Sequence, residues 1–271
     1  MKIRTALFAL SLLLAGCAPQ GEASPAPQKL RFAQQSMDPV EHGERLASVL
    51  GCKGCHGKDL TGTDWSDELG TLWTANLTQS AARHSDAELV EMITLGKRPD
   101  RALMEMPSYL FTQLHEDDLR AVIAYLRSVP VTGEVHPPPT IGPKLAEQIA
   151  SGEYLDAAQE AARDRAVWPP DMGPQHAMAR HIVRATCAEC HQLDLRGEDP
   201  PSPDERRSAD LRIVASYEPD DFVRLMRTGK AAGNREVGLM SEVARNRFAH
   251  LTDNEVEAIR AYLVAVARRD P

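Results

Sequence analysis

Two stretches of this chain, LGCKGCHGKDL (residues 50–60) and ATCAECHQLDL (residues 185–195), each place two cysteines three positions apart with a histidine directly behind the second. Cys52 and Cys187 stand 135 positions apart, and their surroundings repeat as well. HSDAELVEMITLGK (84–97) returns as YEPDDFVRLMRTGK (217–230), and LHEDDLRAVIAYLRSV (114–129) returns as LTDNEVEAIRAYLVAV (251–266). Self-similarity in one order at a nearly constant offset marks a duplicated folding unit. A length of 271 residues accommodates two domains at the usual ~100–200 residues each.

Apolar spacing makes each unit helical. A first helix leads into each cysteine cluster, with Val40, Leu46, Ala47 and Leu50 as its stripe in one copy and Ala179, Ile182, Val183 and Thr186 in the other. The middle helix has a capping box at Ser85 and Glu88 in copy one and a proline suited to the first turn, Pro219, in copy two. Its inner faces are Leu89, Met92 and Ile93, or Phe222, Leu225 and Met226, and Gly96 and Gly229 stand where a left-handed stop is wanted. The last helix repeats Leu119, Val122, Ile123 and Leu126 in one copy, and Val256, Ile259, Leu263 and Val266 after a Thr252 to Glu255 box in the other. Neither copy shows a convincing alternating strand pattern, so both are expected to be all-α.

Between the copies, VTGEVHPPPTIGP (131–143) and WPPDMGP (168–174) break regular structure because proline offers no donor. Residues 144–166 read as one or two short helices in an elaborated linker packed across both domains. At the other end, Lys2 and Arg4 precede an apolar run over 6–14 that is too short to span a bilayer, the pattern of an export signal over 1–16. The sequence Leu14-Ala15-Gly16-Cys17 resembles the bacterial lipoprotein box, which implies a lipidated Cys17 as the mature N-terminus; an ordinary signal with an incidental cysteine is the alternative. Several acyl chains on one residue satisfy the need for more than one chain in stable anchoring. Residues 17–37 then form the lipidated terminus and a tether rich in Pro, Ala and polar residues. Loss of Lys2 and Arg4 takes the formal charge from −8 to −10, which disfavours nucleic acid and anionic lipid as partners.

With Cys17 set aside, the other four of the five cysteines fall into the two pairs. A zinc knot needs four ligands close together, and the usual ~15–20-residue distance between Cys-x-x-Cys units is absent. A thioredoxin-like redox pair wants a βαβ context that this sequence lacks. Covalent haem suits the pattern: the spacing lets both thiols reach the two vinyl groups of one porphyrin, and the adjacent histidine is held beneath the iron. Cys52 and Cys55 are expected to carry one haem c and Cys187 and Cys190 another, with His56 and His191 as iron ligands.

Each cluster is followed by a methionine segment and a helix containing Ala-Tyr-Leu. In these features the chain resembles a dihaem cytochrome c built from two class I cytochrome c domains, and among them the c-type subunits that serve bacterial periplasmic dehydrogenases. The resemblance implies domains at 38–130 and 173–271, joined by a Pro-rich, partly helical linker at 131–172. It also implies a methionine on the far side of each iron. Met106, followed by Pro107, fits that pattern, and a residue before proline is driven out of helical geometry onto a loop able to point inward. Met104 and Met92 are assigned to packing. In the second copy Met240 is preferred, although no proline follows it and eleven residues separate it from Leu251, against eight from Met106 to Leu114. Met226 is the competitor and belongs to the helical stripe.

The remaining histidines, His42, His84, His115, His136, His176, His181 and His250, read as surface or capping residues. Trp65, Trp73 and Trp168 are candidates for packing on haem or in the linker. The expected function is one-electron transfer in the cell envelope, from a periplasmic dehydrogenase to another cytochrome or a terminal oxidase. A chain of this kind is more a carrier, or a carrier subunit of a dehydrogenase complex, than an enzyme by itself. The alternative is a peroxidase-like dihaem enzyme or a gas sensor with one open or displaceable iron.

Overall fold

The computed structural model describes residues 29–198 and 208–269; Cys17 and the segment 1–16, read above as an export signal, lie outside them. In the first copy, α1 (Pro39–Val49) begins at Asp38, whose carboxylate accepts the Val40 N–H, with Pro39 at the first position where a missing donor costs nothing. One turn, α2 (Cys52–Cys55), carries the first cysteine pair. After it come β1 (Gly70–Thr71), α3 (Leu77–Arg83), α4 (Asp86–Leu95), α5 (Ser108–Phe111) and α6 (Glu116–Ser128). The capping box at Ser85 and Glu88 is present in full, and Gly96 ends α4 in the left-handed region at φ 63°. His115 caps α6 by accepting the Asp117 N–H at Nδ1.

The linker contributes β2 (Thr140–Ile141), α7 (Pro143–Ser151) and α8 (Ala157–Asp164). Strand β2 runs antiparallel to β1, with Gly70 opposite Ile141, while α8 packs on α4 and α5. The second copy then repeats the plan: α9 (Ala177–Thr186), α10 (Ala188–His191), a 3-10 segment Leu211–Ser216 where copy one has α3, and α11 (Pro219–Thr228). A small hairpin of β3 (Lys230–Ala231) and β4 (Arg235–Glu236) precedes α12 (Leu239–Asn246) and α13 (Asp253–Arg269). Pro219 opens α11 and Gly229 closes it at φ 74°, and Thr252 and Glu255 form the expected box. Among the described residues, sheet amounts to two antiparallel pairs of two-residue strands, so the architecture is all-α.

The anticipated stripes face inward. Leu46, Ala47, Ile182 and Val183 have no exposure, and the four positions read from each last helix are all buried. Each such Leu, Ile or Val contributes roughly 1.5–3 kcal/mol on burial. Helix α1 crosses α6 at Gly43, where a methyl group would overlap the Ala121 carbonyl oxygen and stand 2.5 Å from its carbon. Only a glycine lets these two backbones come so near.

One continuous buried cluster runs through both copies. Arg184, fully buried on α9, fastens the second copy to the first by donating to the carbonyls of Leu110 (2.6 Å), Val167 (3.1 Å) and Asp164 (3.2 Å). Its guanidinium and that of Arg180 lie over the Trp168 ring, which places that tryptophan at the linker seam. A strap over residues 29–38 touches both halves: Lys29 donates to Leu114 O, the Phe32 N–H to Asp118 and the Ala33 N–H to Glu255. Arg45 on α1 pairs with Glu255 as well and donates to His250 O.

Candidate functional site

Helix α2 is a single turn, so Cys52 and Cys55, at i and i+3, share one face and His56 follows as its C-cap. The chain then curls back over the motif. The Gly62 N–H bonds His56 O at 2.8 Å, Leu77 N–H bonds Leu60 O at 2.8 Å, and the Thr74 hydroxyl donates to Cys55 O at 2.9 Å. This return brings the Ala75 carbonyl to 2.8 Å from His56 Nδ1. A carbonyl can only accept, so Nδ1 carries the proton and Nε2 keeps its lone pair. Burial lowers the pKa of His56 and keeps the ring neutral, although the Ala75 contact works in the other direction.

The second cluster has the same wiring. Gly197 N–H bonds His191 O at 3.1 Å, Leu211 N–H bonds Leu195 O at 2.9 Å, and the Ala209 carbonyl stands 2.6 Å from His191 Nδ1. Burial lowers the His191 pKa too. Leu60 and Leu195 occupy equivalent places, nearly fully buried with φ 62° and 64°. A leucine in the left-handed region is costly, and the matching strain is held by the same return loop in each copy.

An apolar cleft, partly open to solvent, has Cys52, Cys55 and His56 in its wall. Met104 and Met106 line it, as do Trp65, Trp73 and Met92. Met106 lies outside any helix, as its proline predicts, and packs on the core. Met92 is buried on α4, in agreement with its helical stripe, yet it also faces the cleft. Trp73 stacks on His136 at 4.2 Å between centroids, and His136 in turn reaches Thr61 O at 2.6 Å, so the linker braces this wall.

Met240 departs from the expected loop. It sits in the first turn of α12, half-buried against the core, behind Gly238 at φ 64°. The Ser241 hydroxyl donates to Gly229 O at 2.6 Å and accepts the Val237 N–H, which nucleates a helix where copy one has an irregular segment. Met226 is buried on α11, as its stripe predicts. Two histidines expected at the surface are buried instead. His42 lies beneath the strap, 3.8 Å from Asp118, and His181 is enclosed by Phe32 and Trp168.

The residues fit covalent haem better than a reactive disulfide or a zinc knot. All four thiols are free, and burial pushes Cys52, Cys55 and Cys187 up to about 11 and raises Cys190 as well. Reactive cysteines are the opposite, with lowered pKa values in electropositive, exposed settings. Among the described residues no three or more His, Cys, Asp and Glu gather into a metal-ion cage. What remains is a paired-thiol turn, an oriented imidazole and an apolar cleft beside them, the donor set that holds a porphyrin and its iron.

Two residues of this region were not anticipated. Glu189, inside the second motif, lines the cleft of the first. Arg247, the C-cap of α12, pairs with Glu189 at 2.9 Å and donates to Leu50 O (3.1 Å) and Val49 O (3.4 Å), just ahead of the first motif. Against the dominant effect of burial, the Arg247 charge pulls all four thiols down. A methyl on Gly51 would meet this guanidinium, 2.6 Å from Nη2, so the glycine makes room for it.

Comparison with known proteins gives this arrangement a lineage. The chain is 25% identical over 260 residues to the fructose dehydrogenase cytochrome subunit of Gluconobacter japonicus, covering 84% of this chain and 52% of that protein. It is 22% identical over 268 residues to the cytochrome c subunit of the quinone alcohol dehydrogenase of Gluconobacter oxydans (strain 621H), covering 83% and 54%. With the gluconate 2-dehydrogenase cytochrome c subunit of Pantoea cypripedii it shares 23% identity over 266 residues, covering 85% and 60%. The chain thus spans little more than half the length of these relatives. The cytochrome c family model matches it twice, at residues 40–130 and 176–267, once around each motif. Two such domains imply two covalently held haem c groups, and on this match the chain belongs to the cytochrome c family.

Proposed function

We propose that the chain is a dihaem electron relay of the bacterial cell envelope, drawing electrons from a periplasmic dehydrogenase and passing them singly to another cytochrome or a terminal oxidase. Cys52 and Cys55 hold one haem c by thioethers, with His56 and Met106 as ligands of its iron. Cys187 and Cys190 hold the other, with His191 and Met240. The working units are domains 38–130 and 173–271 around a linker at 131–172. They follow a signal over 1–16 and a tether over 17–37 that is lipidated at Cys17 and keeps the domains in the periplasm.

The observation that carries this reading is the paired placement of two neutral imidazoles, each with Nδ1–H committed to a backbone carbonyl, Ala75 or Ala209. Such a bond fixes the ring and raises the basicity of the other nitrogen, which is what a permanent ligand requires. When bound, the haem supplies a reversible one-electron couple between ferric and ferrous iron. The protein's part is to orient the ligands, to exclude water with Leu50, Leu77, Phe111 and their neighbours, and to keep the group in place. Relatives named as cytochrome subunits of fructose, alcohol and gluconate dehydrogenases support a dehydrogenase donor. Their substrates differ, so the donor is proposed by class alone. The chain's acidic balance, −8 overall, suits a basic docking face on a partner.

The test is haem stoichiometry and ligation. The exported protein should carry two haems that survive denaturing electrophoresis, and replacing Cys52 and Cys55 with Ala should leave one; two haems in that variant would refute the attachment. Reduced protein should leave carbon monoxide unbound at neutral pH. Rapid stoichiometric binding at one haem would instead favour the enzyme or gas-sensor alternative.

A further inference from the structure

Arg247 ties the two cysteine motifs together from outside both. It belongs to α12, yet its guanidinium is nearly buried between the carbonyls of Val49 and Leu50, which lead into Cys52, and the carboxylate of Glu189, which lies between Cys187 and Cys190. Glu189 also forms part of the first cleft's wall. The second attachment turn is therefore a boundary of the first site, and one charge pair stands where the two meet. Its side chains are 11% and 27% exposed, so solvent screens them only in part.

We propose that Arg247 and Glu189 form a shared potential-setting pair that acts on both haem sites at once, Arg247 favouring and Glu189 opposing the arrival of an electron. The proposal rests on the dihaem reading given above. Reduction adds one negative charge at an iron, so a nearby cation stabilises the reduced state and a nearby anion destabilises it. Because Arg247 touches the approach to one motif and the interior of the other, its field reaches both. Its three hydrogen bonds also hold the two attachment turns in register, so the pair fixes the spacing of the sites as well as their electrostatics.

Potentiometric titration of the full-length, haem-loaded protein, followed by visible absorbance, tests this with three variants. Arg247→Gln should lower the midpoint potentials of both haems, shifting the reduced-to-oxidised ratio by about three- to tenfold, up to about 59 mV for a one-electron couple. Glu189→Gln retains an acceptor for Arg247 while removing the negative charge, and should raise both potentials. Arg247→Lys should stay close to the parent. A purely structural role would shift Arg247→Gln and Glu189→Gln in the same direction or in neither, and either result overturns the proposal. If Arg247→Gln does not accumulate with two haems, Glu189→Gln decides alone: an upward shift supports the pair, and no shift or a downward one defeats it. The unaltered protein separates this from the parent reading, since failure to show two haems with one-electron waves would remove the relay itself and not merely the pair.

Discussion

Substituting alanine for Gly43 should destabilise the protein, against the ordinary expectation for a helix. In a solvent-facing helix interior, Gly→Ala is worth about 1 kcal/mol in favour of alanine. Here the new methyl would overlap the Ala121 carbonyl oxygen and lie 2.5 Å from its carbon and 2.9 Å from Tyr125 Cβ. Carbon atoms settle at about 3.5–4.0 Å, so α1 and α6 must part by about 1 Å. The obstacle is backbone and cannot rotate aside, which puts the cost near the upper end of the ~1–3 kcal/mol usual for overpacking. After the propensity gain, the net loss is about 2 kcal/mol, or a fall of roughly 4–8 °C in Tm for a protein of this size. Helix α1 runs almost directly into Cys52, so the visible haem spectrum should change with the melt. Calorimetry on the haem-loaded protein measures the effect. A Gly43→Ala protein as stable as the parent, or more so, would show that the helix crossing does not depend on this close approach.

Three other perturbations follow from buried polar groups and from the N-terminus. Arg184→Met should cost about 3 kcal/mol, because the buried Leu110 carbonyl and two further acceptors lose their donor; a denaturant midpoint unchanged from the parent would contradict this. Burial, with help from Arg184, lowers the His181 pKa from 6.5 to about 4. The folded state thus keeps the ring neutral while the unfolded chain takes up a proton, so stability is full above about pH 7 and declines as pH falls from 6.5 toward 4. At pH 5 the loss is about 2 kcal/mol, and His181→Leu should remove that portion, as urea melts at pH 7.5 and pH 5 would reveal. Replacing Cys17 with Ser should release the protein from sedimenting membranes, and continued tight sedimentation would defeat the lipid assignment.

Helix limits were legible in the sequence wherever the signal is local. Ser85 with Glu88, Pro219, Gly96, Gly229 and Thr252 with Glu255 all act within one turn, so a single window contains both partners. The stripes of α6 and α13 were equally readable because one helical period repeats along each. The non-helical placement of Met106 was legible through Pro107. Met240 carried no such mark, and the Ser241 to Gly229 bond that makes its segment helical spans twelve positions. The pairing of Arg247 with Leu50, 197 positions away, and of Arg45 with Glu255, 210 away, leaves no local trace. The burial of His42 and His181 leaves no local trace for a related reason: the strap and the linker that cover them come from distant parts of the chain. The return loop does carry a local mark. Both quoted stretches end in Asp-Leu, and that leucine is buried with positive φ in each copy.

The strap over residues 29–38 has a mechanical consequence. Its hydrogen bonds to Leu114 and Asp118 in one half and to Glu255 in the other join the N-terminal end to the seam, not to the outer flank of a single half. With Cys17 as the proposed mooring, twelve peptide links separate it from Lys29, and covalent geometry limits such a leash to about 40 Å. A pull along it loads both halves together, so neither can swing away while the other stays behind. A partner arriving from the membrane side would then meet one body on a short line, with its two attachment motifs held at a fixed separation.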